Sequence, residues 1–201
     1  MKNFLRVLSA LAIVSLASGF DYIRDTRQAP PGVRLPVKWD PGSVPMQIKM
    51  PTTPTLFDGT NFTTSVQAAM QNWNVVIGSV QFVGQPVAVS PAGDFNGISE
   101  IVFDSTIFGR AFDTNTLAVT TTIARGNKRS EADIIFNSAR TWDSYRGGLR
   151  SSLDLQRVAT HELGHALGLD HPDEATPFQS VSAIMNSRIS NTDWKGVASS
   201  G

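Results

Sequence analysis

The stretch His161-Glu162-Leu163-Gly164-His165-Ala166-Leu167-Gly168-Leu169-Asp170-His171 governs how the rest of the chain is read. His161 and His165 stand four positions apart, a spacing that on a helix puts both imidazoles on one face within reach of a common ion. A catalytic zinc needs a third protein ligand and an open position, and a third residue on the same helix could not approach from a different direction. The chain must turn first. Gly168 permits the turn because it lacks a Cβ and tolerates positive φ, and His171 then follows on the returning chain. The full pattern is HExxHxxGxxH, and it holds all three histidines of the sequence. A bare HExxH occurs by chance on ordinary surface or core helices, but the added glycine and third histidine at these spacings make coincidence a poor account. Glu162, next to a ligand yet pointing away from the metal, is placed to take a proton from the attacking water and pass it to a leaving amine.

Outward from this motif, a helix is expected from near Ser151, whose hydroxyl has capping-box spacing to Asp154, with Leu155, Val158, Leu163, Ala166 and Leu167 on its apolar positions and Gly168 at its end. An earlier helix is expected over Asn61 to Ile77, where Phe62, Val66, Ala69, Met70, Trp73 and Ile77 recur at helical spacing behind Thr60 and Asn61 as caps. Asn61-Phe62-Thr63 also reads as a glycosylation sequon. Val80–Val83, Glu100–Phe103, Thr116–Ile123 and Ala132–Phe136 read as strands, rich in Val, Ile, Thr and Phe. Val37–Trp39 and Met46–Met50 flank the turn Asp40-Pro41-Gly42 and suggest a hairpin or a first strand entering a sheet. The class is α+β, a mixed sheet beside two long helices.

At 201 residues and 41% hydrophobic content, the chain can bury one sizeable core. Lys plus Arg and Asp plus Glu both total 17, so no overall field draws the protein to nucleic acid or an anionic membrane. The absence of cysteine excludes disulfides and thiolate chemistry and leaves any metal to nitrogen and oxygen ligands. Lys2 and Arg6 precede an apolar run from Val7 to Ala17 and the small residues Ala17-Ser18-Gly19, the layout of a secretory signal peptide over residues 1–19. That run is shorter than the roughly 20 residues that span a bilayer, so stable membrane insertion is not expected. Residues 20–34 read as a linker or short prosegment, and 195–201 as a flexible tail. A secreted protein, extracellular or held in the cell envelope, is the expectation.

On His161 to His171 and on Ser182-Ala183-Ile184-Met185, the sequence resembles the metzincin zinc peptidases, and among them the bacterial-type matrixins. The latter segment looks like the Met-turn that lies beneath the zinc in this clan, with Met185 as its methionine. Thr116-Leu117-Ala118-Val119 and Ala132-Asp133-Ile134-Ile135-Phe136, followed by Trp142, are similar to the matrixin edge strand and the strand after it. The resemblance covers most of 35–194 and implies a twisted, mostly parallel sheet of about five strands with an antiparallel edge strand. It implies a monomeric endopeptidase in which His161, His165 and His171 hold one catalytic zinc, Glu162 is general base and acid, and Gly168 and Met185 shape the site. A protein or peptide substrate would add antiparallel along Leu117, Ala118, Val119 and Thr120, with Asn186 and Ser187 walling the pocket beyond the cleaved bond.

The sequence also departs from that family. Pro172 after the third ligand is more like serralysins, but Ser187 stands where those enzymes carry a tyrosine, so no fifth ligand is expected. The histidines of a second, structural zinc are missing, as is the cysteine of a thiolate latch. Asp94, Asp104, Asp113 and Asn137 offer oxygen ligands for calcium, although solvated turn carboxylates are the commoner explanation. After Met185 the family's closing helix is not evident: Asn191-Thr192-Asp193-Trp194 runs into a small, polar tail. The competing reading is a zinc-binding but catalytically inactive metzincin-like binding protein, which would have no need of Glu162.

Overall fold

The computed structural model describes residues 5–10, 21–22, 24–25, 35–175 and 183–189. Most of the expected signal segment, most of 20–34, Ser182 and everything from Ser190 onward, the tail included, lie outside the described residues. The main sheet contains β1 (Leu5–Ala10), β2 (Gly42–Lys49), β3 (Val80–Pro86), β4 (Ser99–Asp104), β5 (Ala118–Arg125) and β6 (Lys128–Asn137). Its spatial order is β1-β5-β6-β4-β2-β3. The pairs β6–β4, β4–β2 and β2–β3 are parallel, whereas β5 runs antiparallel to both β6 and β1. Over residues 35–189 this is the expected five-stranded, mostly parallel sheet with β5 outermost. The N-terminal β1 then lies along β5's outer edge, where a row of backbone donors and acceptors would otherwise be unpaired.

Two helices pack on one face, α1 (Phe62–Asn74) and α2 (Leu155–Leu167). Alternation along the strands divides the core between the two faces of the sheet. Met46, Ile48, Ile101, Ile134 and Phe136 meet Val66, Met70, Trp73, Val158 and Leu163 from the helices, while Val102, Val119 and Ile135 form a smaller cluster on the other side. Trp73 Nε1 also donates to the Thr160 carbonyl at 2.7 Å, locking α1 to α2 across the core.

Helix α1 starts where expected. The Asn61 side chain accepts the Thr64 N–H and the Thr64 hydroxyl accepts the Asn61 N–H, both at 2.9 Å, a reciprocal capping box. It ends at Asn74, and the chain tightens through a turn in which the Val76 and Ile77 N–H groups both donate to the Trp73 carbonyl, while the Asn74 side chain bonds the N–H and the carbonyl of Phe82 on β3. Val37–Trp39 does not fold back on β2 as a hairpin. Lys38 instead exchanges backbone hydrogen bonds with Asn127 and Arg129 at the β5–β6 turn, so β2 is the first strand of the central sheet after this segment.

The expected start of α2 near Ser151 is incorrect. Leu153–Asp154 pairs in parallel with Trp142–Asp143, and the Leu153 N–H donates to the Thr141 carbonyl, which holds the backbone extended where a first helical turn would have to form. The helix begins at Leu155. Asp154 stands at the cap position without a side-chain cap bond, its carboxylate turned toward Arg157 at 3.5 Å, so the Ser151–Asp154 capping box does not form.

Candidate metal centre

Helix α2 ends at Gly168, whose φ of +111° lies in the left-handed region and reverses the chain. A Cβ there would also meet the Val37 carbonyl oxygen at 2.5 Å, so two independent demands select glycine. The last carbonyls of the helix are held from outside. Arg129, buried on β6, donates its guanidinium to the His165 and Ala166 carbonyls, and Trp39 Nε1 donates to Ala166 at 2.7 Å. A cation at this end also suits the helix dipole. Past the turn, the Asp170 carboxylate accepts the His171 N–H at 2.9 Å and the chain enters a short helical turn at Pro172–Glu174.

This path brings the three imidazoles together. The Nε2 atoms of His161 and His165 are 3.0 Å apart, those of His165 and His171 3.0 Å, and those of His161 and His171 3.2 Å. Each ring's other nitrogen has a fixed partner: His161 Nδ1 meets the Ile184 carbonyl at 2.7 Å, His165 Nδ1 the Leu169 carbonyl at 2.8 Å, and His171 Nδ1 a Glu174 carboxylate oxygen at 3.1 Å. These acceptors place a proton on Nδ1, which in a neutral imidazole turns the Nε2 lone pair toward the shared centre. Burial, followed by the neighbouring ring, pushes His161 down to about 3, and burial holds His165 well below its usual value. Three imidazole nitrogens converging at this distance form a set of donors that a single metal ion can satisfy together. A tetrahedral zinc with bonds of about 2.0–2.1 Å sets ligand nitrogens about 3.3 Å apart, close to the observed triangle. The donor set fits zinc.

Among the described residues, this is the one group of three or more His, Asp or Glu side chains placed to share an ion. Asp94, Asp104 and Asp113 are not gathered into such a group. The Asn137 side chain is used within its own turn, donating to the Thr116 carbonyl and accepting the Ala139 N–H.

Beneath the helix, Met185 is fully buried, and a Cβ on Gly164 would come within 2.1 Å of its sulfur. The glycine inside the motif therefore lets the turn at Ala183–Asn186 press against α2, and the same turn supplies the Ile184 carbonyl to His161. Asp173 anchors its far side by accepting the Ser187 N–H at 2.8 Å and the Ser187 hydroxyl at 2.6 Å. The Ser187 side chain is thus buried against Asp173.

Glu162 is fully buried on α2. Burial pushes its carboxyl up to about 8, opposed by a hydrogen bond from Thr120. Leu117 precedes β5, and Ala118, Val119 and Thr120 open it; Val119 and Thr120 pair with Ala10 and Ser9 on the outer edge and with Ile135 and Ile134 on the inner.

The matrixin family model matches residues 38–200. The chain belongs to the matrixin family. Matrixins are zinc metallopeptidases, typically extracellular and acting on proteins, and the three-histidine cluster of this matrixin is able to bind the metal the family uses. No curated protein matches the chain. Among the described residues of this matrixin, no helix is long and apolar enough to cross a membrane.

Sequence spacing identified the three histidines that α2 and its turn bring together, but it offered Thr120 only as a substrate-binding residue of the edge strand and gave Arg129 and Asp173 no role. Thr120 and Arg129 reach α2 from β5 and β6, 42 and 36 positions from their partners, whereas Asp173 lies just past His171 and acts through Ser187.

Proposed function

We propose that this matrixin is a secreted endopeptidase in which His161, His165 and His171 hold a single catalytic zinc and Glu162 is the general base and acid. The observation that carries the reading is the triangle of converging Nε2 atoms with a buried carboxylate one residue from the first of them. Bound zinc supplies Lewis-acid chemistry, acidifying a water and polarising the scissile carbonyl. Glu162 accepts the proton of the attacking water and delivers it to the departing amine. The Nδ1 partners keep the three rings from rotating, and Gly168 and Met185 keep the third ligand and the helix in place.

The peptide substrate adds antiparallel along Leu117 to Thr120, and the turn at Asn186 and Ser187 borders the pocket past the cleaved bond. Residues 1–19 act as a signal peptide whose removal on export frees the outer edge of β5 for the substrate. Residues 20–34 form a linker or short prosegment, 35–194 the peptidase domain and 195–201 a tail, and the enzyme works as a monomer.

The test compares wild type with Glu162→Ala on an unstructured protein, with zinc content measured for both. The expected result is retained zinc and a loss in kcat on the order of 10²- to 10⁴-fold. Equal cleavage by the two overturns the assignment of Glu162. Cleavage by neither, with zinc bound, favours the inactive zinc-binding protein.

A further inference from the structure

Thr120 stands on β5 with its side chain buried beneath α2. Its Oγ1 lies 2.6 Å from Glu162 Oε2 and 3.1 Å from the Glu162 carbonyl oxygen. A threonine hydroxyl carries one proton, and the shorter contact, to Oε2, is the stronger claim on it. The other carboxylate oxygen, Oε1, is buried and has no hydrogen-bond partner among the described residues. The two oxygens of Glu162 are therefore inequivalent, one held and one free.

We propose that Thr120 is a positioning residue for Glu162: its hydroxyl holds Oε2 and so orients the carboxylate with Oε1 as the oxygen that exchanges the proton. This rests on the catalytic role given to Glu162 above. Thr120 suits the task for two reasons. Its β-branched side chain has a restricted χ1, and its backbone is clamped by the ladder to β6, so the direction of the hydroxyl is set before any substrate arrives. A carboxylate on a glutamate side chain otherwise turns about three further torsions, and a base that must meet a water within about 3 Å loses efficiency when that orientation is spread. The same strand is the one along which the substrate is proposed to lie. Backbone recognition and the aim of the base are thereby built on one rigid element, with the amide serving the first and the hydroxyl the second.

The experiment measures kcat and KM on a peptide substrate, with zinc content, for wild type, Thr120→Val, Thr120→Ala, Thr120→Ser and Glu162→Ala. Thr120→Val keeps shape and the backbone amide but removes the donor. Its kcat is expected to fall on the order of 10- to 100-fold, the range for residues that orient a catalytic group, with KM and zinc content little changed. The Ala and Ser variants both lack the methyl group and differ only in the hydroxyl, so Ser must recover kcat relative to Ala. That pair decides the matter even where the Val variant fails to fold. Wild-type kcat in Val and Ala, a Ser variant as impaired as Ala, or a loss confined to KM would each overturn the role of Thr120. Glu162→Ala separates the two levels: full activity there removes the parent reading, whereas an inactive Glu162→Ala beside a fully active Thr120→Val removes only this one.

Discussion

Helices α1 and α2 have the same length, 13 residues, and are held in opposite ways. Six residues of α1 are buried, along one stripe, and its start is made by a capping box within four consecutive residues. Twelve residues of α2 are buried, Arg157, Glu162 and two histidines among them, and its cap residue makes no side-chain cap bond. Its C-terminal carbonyls are satisfied by Arg129 and Trp39 from other elements, and its flank is shaped by Met185. The helix that bears the chemistry is therefore the one least able to stand by itself. Burying polar ligands is unfavourable unless each is partnered, and the partners come from the whole fold.

The comparison breaks most completely at the histidines. His165→Ala leaves two nitrogens where three converge, and the expected outcome is loss of stoichiometric zinc and of proteolysis together, read by elemental analysis and a peptide assay. A chelator should abolish activity in the wild type, and added zinc should restore it.

Smaller but still large is Gly164→Ala, which forces a methyl group into the Met185 sulfur contact. Overpacking at such a site destabilises by about 1–3 kcal/mol, and a lower Tm with zinc affinity reduced alongside is expected. A Tm equal to wild type would show that Met185 moves aside freely. The equivalent change on α1, Ala69→Gly, acts through helix propensity and a lost methyl group and leaves zinc binding intact.

Protons sharpen the contrast further. In the metal-free protein His161 stays unprotonated until about pH 3, whereas in the unfolded chain it titrates near 6.5. Between those values the unfolded state binds a proton that the folded state refuses, so this contribution to stability declines as pH falls through the window. Relative to His161→Phe, metal-free wild type is expected to lose about 2 kcal/mol between pH 7 and 5, measured by urea unfolding at each pH. An unchanged difference would contradict the burial of that ring as a neutral imidazole. The smallest effect belongs to α1: Asn61→Ala removes its cap and is expected to lower stability by about 1 kcal/mol without altering zinc content.

How much was legible in the sequence follows the same division. The extent of α1 was readable to within a turn because its apolar stripe and its cap are local features. Its last turn was overextended, since Val76 and Ile77 both donate to the Trp73 carbonyl in a tightened end that the apolar spacing does not distinguish from helix. For α2 the motif was plain but the beginning was not, because the pairing of Leu153 with Trp142 overrides a capping signal that by itself looks sound. The site divides likewise: the converging histidines and the turning glycine were legible, whereas the Ile184 carbonyl behind His161 and the Thr120 hydroxyl on Glu162 were not.

By itself, the sequence determined which atoms can bind a metal: the spacing of His161 and His165 is set by the helix repeat, and Gly168 permits the positive φ that the reversal to His171 needs. Only the tertiary structure decided that the His161 ring is held by the Ile184 carbonyl and that one oxygen of Glu162 is held by Thr120. Ile184 is 23 positions from the ring it fixes, and Thr120 is 42 from the carboxylate it touches. Contacts at such separations are made by packing of the core, and packing leaves no period in the chain from which they could be read.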